Sequence, residues 1–174
     1  AAVFSGAPAW AQNGRANSKL RTAHVGVGGM GNSDLGALAS HSGLEVAAVC
    51  DIDEGRMNSA GEKHPNAKRY IDWREMLDAE GDKIDAVVCS TPDHMHAAIA
   101  MVAMNMGKHV YCQKPLTHSI HEARALAQRV ARGDVVSQMG TQNASRAHKR
   151  QAIAMLQDDA LRERFTGLAD HVVN

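Results

Sequence analysis

At 174 residues the chain is long enough for one domain with a sizeable core, or for one domain and a piece of another. Lys plus Arg and Asp plus Glu number 19 each, so the formal net charge is zero and there is no basic field of the kind nucleic acids select. Two each of Trp, Tyr and Phe are too few for a base-stacking surface, and no apolar run is long enough to span a membrane.

Residues 1–11, AAVFSGAPAWA, read as the end of an export signal: Ala9-Trp10-Ala11 is a small-x-small cleavage pattern and Gln12 would be the first mature residue. The basic n-region is missing, so the chain is expected to begin inside the signal and the protein to be periplasmic or secreted. The alternative is an alanine-rich arm on a cytoplasmic protein. A polar, extended stretch over 12–20 leads into a first strand over 22–27 and a helix over 30–40, which ends near Gly43. A second strand over 45–50 precedes a helix over 54–63, broken by His64-Pro65. After a brief strand at 70–71, Asp72 with Glu75 three residues on offers a capping box for a helix over 73–78.

The continuous apolar run over 85–89 predicts a strand buried on both faces. A helix over 96–106 follows, with Ala98, Val102 and Met106 at helical spacing and Gly107 as its stop. A fifth strand covers 108–112. Ser119 and Glu122 form a second capping box, opening a helix to about 132 whose Ala123, Leu126, Ala127 and Val130 share one face. A sixth strand over 135–139 and a helix over 145–157 complete the series. Strands alternating with helices specify a doubly wound, Rossmann-type α/β fold with a parallel sheet. Cys50, Cys89 and Cys112 fall at strand ends, where an odd set reads as small buried apolar residues and not as a disulfide framework. The run over 168–173 resembles a further strand with nothing to pair it. The expected organisation is therefore a signal remnant over 1–11, one α/β domain over 12–143, and a connecting helix and an unpaired strand over 144–174 that read as a truncated piece.

Gly26, Gly28 and Gly31 match G-x-G-x-x-G directly after Val25 and Val27, and Asp51 closes the second strand. In that context Gly26 permits a sharp turn, Gly28 lets backbone approach a pyrophosphate, and Gly31 lets the first helix pack closely. The anion then rests on N–H groups at the helix start, around Gly29 and Met30. Asp51 is placed to accept hydrogen bonds from ribose hydroxyls, which favours NAD. Arg56, five residues on, leaves NADP possible, or is a solvated helix residue. In an open α/β sheet, ligands bind outside the carboxyl ends of the strands. Residues 28–31, Asp51, 90–96 (Ser90, Thr91, Pro92 and His96 among them), 113–115 and 140–143, with Gln142, are therefore expected to line one site.

The stretch CSTPDHMHAAIAMVAMNMGKHVYCQKPLTHSIHEA resembles the Gfo/Idh/MocA family of nicotinamide-dependent oxidoreductases. Thr91, Pro92, His96, Gly107, Lys108, His109, Val110, Lys114 and Pro115 match its pattern, as do the glycine triplet and YIDWREML. The resemblance implies that Lys114 lies near the nicotinamide and the reacting carbon, where an ammonium orients a hydroxyl and stabilises an alkoxide. It also implies that 12–143 is a dinucleotide domain in which His96 and Gln113 border the cofactor, and that 144–174 begin a truncated second α+β domain, which supplies the substrate pocket and contacts for a homo-oligomer. Gln113 stands where the family usually has glutamate, and Asp93 where asparagine is common. A metal site from His94, His96 and a cysteine has no zinc-signature spacing, and none is expected. The implied activity is hydride transfer between NAD and a sugar, polyol or related carbohydrate. The alternatives are NAD-assisted glycoside cleavage or elimination without net redox change, and non-catalytic binding of a dinucleotide or sugar.

Overall fold

The computed structural model describes residues 19–157. The chain divides into two compact units, the first ending at Gly140 and the second beginning at Thr141. The cleavage pattern at 9–11 and the strand expected over 168–173 lie outside the described residues.

The first unit is a six-stranded, all-parallel sheet of β1 (Leu20–Val25), β2 (Leu44–Cys50), β3 (Lys68–Tyr70), β4 (Ala86–Cys89), β5 (His109–Gln113) and β6 (Ser137–Gly140). Five helices cross between them: α1 (Met30–Ala39), α2 (Glu54–Lys63), α3 (Trp73–Glu80), α4 (Asp93–Asn105) and α5 (Ile120–Val130). The strand order is β3-β2-β1-β4-β5-β6. The chain thus winds outward from β1 to one edge, then returns to β4 beside β1 and winds to the other, the doubly wound arrangement of dinucleotide-binding sheets.

Alternate residues of the central strands feed two cores. Ala48 and Cys50 of β2 belong to the larger one, with Met76 and Leu77 of α3, Ile99 and Met104 of α4 and Leu126 of α5. Val49 between them points to the other face, where it meets Leu35 of α1 and Ala60 of α2. Val87 and Val88 of β4, neighbours that point to opposite faces, are 0% and 3% exposed, as a strand covered on both faces requires.

The helix ends follow local chemistry. Ser119 and Glu122 form the expected capping box, each side chain bonded to the other residue's backbone N–H. Asp53 caps α2 by accepting from Arg56 N at 3.0 Å. The box expected at Asp72 and Glu75 does not form, because Arg74 takes both roles: its N–H donates to Asp72 at 2.9 Å and its guanidinium folds back onto the same carboxylate at 2.7 Å. Helix α4 starts three residues earlier than periodicity indicates, with Pro92 as the extended N-cap and Asp93 in the first turn, where a carboxylate suits the helix dipole. The sixth strand begins at Ser137, two residues later than expected: Val135 is buried beneath the sheet whereas Val136 is 66% exposed. In the second unit a 3-10 turn, Gln142–Ser145, precedes α6 (Ala147–Leu156), where a single helix was expected. Among the described residues no helix is long and apolar enough to cross a membrane.

Candidate cofactor-binding site

The switch point of the sheet lies between β1 and β4, and the glycine turn leaves β1 there. Gly26 has φ +79°, and a Cβ on it would sit 2.7 Å from the Ser90 carbonyl oxygen that follows β4. Its N–H donates to Cys50 O at 2.8 Å, tying the turn to β2. A Cβ on Gly31 would run into the carbonyl oxygen of Gly26 itself. The close packing that Gly31 permits is therefore between α1 and the turn, more than between α1 and the sheet. Gly29 is the N-cap of α1, offers no side chain to the helix's first N–H groups, and no acidic residue lies in the first turn. Gly31 N–H donates to Gly28 O at 2.8 Å and Ser33 N–H to Gly29 O at 3.4 Å, and the helix start carries the positive end of the dipole, a place where an anion is favoured. Met30 and Gly29 are exposed beside it.

Asp51 directly follows β2 and is 8% exposed. One carboxylate oxygen accepts from Val27 N at 2.9 Å and the other from Asp53 N at 3.0 Å, so Asp51 also braces the glycine turn. Arg56 lies across Gly28, its side chain occupying the space a Cβ there would need, and it faces Asp53 at 3.5 Å. A cavity of about 480 Å³ opens at this place, lined by Gly28, Gly29, Asn32, Asp53, Arg56 and Lys63 among others. Lys63 donates to Asn32 at 3.1 Å across it. Asn32, Asp53 and Lys63 went unnoticed in the sequence, where their only signal is position: one turn into α1, and at the two ends of α2. Lys114 is not among the residues lining this cavity.

The turns after β4 and β5 make the other half. His96, 1% exposed, places Nε2 2.7 Å from Thr91 O and Nδ1 2.6 Å from Pro115 O. Both partners are main-chain carbonyl oxygens, which only accept, so the ring nitrogen that carries the proton donates to the carbonyl it faces. From the second turn of α4, and not from its start, His96 staples the Thr91-Pro92 turn to the Lys114-Pro115 turn. Lys114 is exposed, and its peptide bond to Pro115 is cis. Gln113 is 4% exposed, and its amide donates to Asp34 Oδ2 at 2.8 Å. Ser90 Oγ donates to the same oxygen at 2.7 Å. Asp34, on the inner face of α1 three residues past Gly31, was missed in the sequence. A carboxylate in a helix of small and apolar residues was the available signal. Gln142 lies in the second unit, on its 3-10 turn.

Cys89 and Cys112 are register partners on β4 and β5, and their sulfurs and a His96 ring nitrogen lie within 4.8 Å of one another, all buried. His94, weighed in the sequence with His96, is exposed and outside this group. Both imidazole nitrogens of His96 already face main-chain carbonyl oxygens, at 2.6 and 2.7 Å. The thiols act on each other: a hydrogen bond from Cys112 holds the Cys89 thiol below its ordinary range, and the same bond pushes Cys112 up. Burial, with Asp51 nearby, pushes Cys50 up to about 12.

Residues 20–141 match the family model described as "Oxidoreductase family, NAD-binding Rossmann fold", GFO_IDH_MocA. The chain belongs to the Gfo/Idh/MocA family. It is 37% identical over 99 residues to an inositol 2-dehydrogenase of Salmonella paratyphi B, a match covering 56% of this chain and 29% of that protein. It is 32% identical over 112 residues to an α-N-acetylgalactosaminidase of Shewanella oneidensis, covering 59% of this chain and 24% of the relative. The crystal structure of myo-inositol 2-dehydrogenase from Lactobacillus plantarum superposes with a TM-score of 0.74 at 25% identity, covering 81% of this chain and 42% of that one. The chain thus spans less than half the length of these Gfo/Idh/MocA relatives.

Proposed function

We propose that this chain is the cofactor-binding part of an oxidoreductase that moves a hydride between NAD and a sugar, polyol or related carbohydrate. The observation that carries the reading is the placement of the glycine turn and the Lys114 turn along one carboxyl edge of a sheet ordered β3-β2-β1-β4-β5-β6. The pyrophosphate would rest on the N–H groups at the start of α1, and Asp51 would use its remaining lone pairs for ribose hydroxyls. The nicotinamide supplies hydride acceptance and return. Lys114, exposed directly after β5, would hold the substrate oxygen and stabilise the charge that develops on it. His96 keeps the flanking turns in place. Asp51 favours NAD over NADP because a carboxylate repels a 2′-phosphate, and Arg56 moderates that preference.

The likeness to a protein named α-N-acetylgalactosaminidase supports a second reading, glycoside cleavage assisted by transient oxidation on bound NAD. The two are separated by incubating the complete protein and NAD with myo-inositol and, separately, with an aryl α-N-acetylgalactosaminide. Absorbance of NADH rising with the polyol supports net oxidation; aryl release with no net NADH supports the second reading. Neither signal would leave non-catalytic binding. Export is part of the same proposal, on the strength of Ala9-Trp10-Ala11. N-terminal sequencing of protein secreted by its host should begin at Gln12, and an unprocessed cytoplasmic product would oppose it.

A further inference from the structure

The Lys114 turn is anchored to the helix that carries the glycine turn by a buried polar chain that neither motif includes. Asp34 Oδ2 accepts from Gln113 Nε2 at 2.8 Å and from Ser90 Oγ at 2.7 Å. At the other end of the same side chain, Gln113 Oε1 accepts from the backbone N–H of Lys114 at 3.3 Å. The amide has little room to turn: it is 4% exposed, and a Cβ on Gly140, its register partner on β6, would come within 2.9 Å of Gln113 Cδ and Oε1. Asp34 is itself 7% exposed. A carboxylate has only acceptors, so the residue facing it must donate, while the Lys114 N–H on the far side requires an acceptor. Glutamine meets both demands at once. A glutamate at 113 would bring two buried carboxylates together at hydrogen-bonding distance, which is repulsive unless one takes up a proton.

We propose that Asp34 is a positioning residue for Lys114: its carboxylate fixes the Gln113 amide, the amide oxygen holds the Lys114 backbone, and Ser90 closes the link to the β4 turn. This rests on the reading of Lys114 as the residue that meets the substrate. This polar link joins the helix of the glycine turn to the Lys114 end of the site through side chains 79 residues apart in sequence.

Backbone amide exchange of Lys114, measured by NMR on the full chain and referenced to Val49 in the core of β2, reads the link directly. Asp34→Ala should speed Lys114 exchange about threefold to tenfold relative to Val49, the scale of one lost hydrogen bond. Asp34→Asn, which keeps an acceptor oxygen, should stay close to the parent. Gln113→Glu should speed exchange as Asp34→Ala does, and the double variant Asp34→Asn with Gln113→Glu should reverse it, because the new amide can donate to the new carboxylate. Equal changes at Lys114 and Val49 in every variant, or a double variant no closer to the parent than Gln113→Glu, would overturn the proposal. If Gln113→Glu does not fold, the double variant decides: regained folding supports the link and continued failure overturns it. Turnover of myo-inositol with NAD in the complete protein is a separate measurement. Its absence would count against the catalytic reading of Lys114, while the exchange result still judges the link.

Discussion

Gly31 shows how one missing methyl group shapes a site. The carbonyl oxygen of Gly26 occupies the space its Cβ would need, and both are backbone of the same turn, so neither can give way without moving the anion site. Gly31→Ala should therefore weaken NAD binding at least tenfold and lower the thermal midpoint as well, which titration calorimetry and a melting curve would report. Unchanged affinity would mean that the turn tolerates a shift of α1. Lys114 makes the opposite case. It is exposed, and its side chain makes no hydrogen bond or ion pair among the described residues, so Lys114→Ala should leave the fold and NAD affinity nearly intact while slowing turnover by about 10²-fold or more in the complete protein. A loss of NAD affinity in proportion to the rate would make the lysine a cofactor contact instead.

Between elements, α4 and α5 are held by Arg129. Its side chain is only 5% exposed on its α5 side, with Nε donating to Asn105 at 3.0 Å and the terminal nitrogens to Asp134 at 2.6 and 2.9 Å and to the Met104 carbonyl. One residue thus closes the end of α4 and fastens the loop into β6. The guanidinium holds the Asp134 carboxyl below its usual range. Arg129→Ala strands a buried carbonyl and frees that loop, and should cost about 2–4 kcal/mol in urea unfolding. A loss below 0.5 kcal/mol, the scale of an ordinary surface substitution, would mean that water replaces these bonds without penalty. The boundaries at this scale were readable where the signal was local, as at Ser119 and Glu122. They were misread where a neighbour intervened: Arg74 folding back onto Asp72, or Pro92 opening α4 before its apolar spacing begins.

At the scale of the whole molecule, much was legible because the sequence repeats its message. Glycines follow a strand, an acid closes the next, and apolar runs alternate with helices; together they leave a parallel doubly wound sheet as the reading, and residues 20–141 match the corresponding family model. What stayed hidden depends on pairs far apart in the chain. The Asp34 to Gln113 contact explains a glutamine that was unaccounted for at its position, yet no local pattern announces it. Likewise, periodicity and motif matching placed His96 at the site but gave no hint that both its nitrogens bind main-chain oxygens.

His24 is a further case, and it governs how the sheet responds to acid. It lies on the central strand, 1% exposed, between β2 and β4. Thr22 Oγ1 donates to Glu45 O at 3.2 Å, so the 3.0 Å contact between Thr22 Oγ1 and His24 Nε2 requires the imidazole to donate. The proton therefore sits on Nε2, and Nδ1 is a buried lone pair with no partner among the described residues. Protonating it would create a buried N–H and a buried charge together. Burial, with His64 adding repulsion, accordingly lowers its pKa to about 3. The unfolded chain takes up that proton near 6.5 and the folded one only near 3, so stability is full above 6.5 and falls with pH across that window. From pH 7.5 to 5 this one group should remove about 2 kcal/mol from the unfolding free energy. The Asp134 carboxyl, held low by Arg129, gives up its contribution only at still more acid pH, so it does not mask the effect. His24→Leu removes the proton-binding difference and the unsatisfied nitrogen, while Thr22 keeps its bond to Glu45. Urea unfolding of that variant should show no loss at pH 7.5 and a much flatter profile down to pH 5, the residual slope coming from His64, whose pKa is also lowered by burial, and from the Cys89 thiol, which is held below its ordinary range. If the variant loses stability over that range as steeply as the parent, the acid sensitivity resides elsewhere and His24 is protonated in the fold.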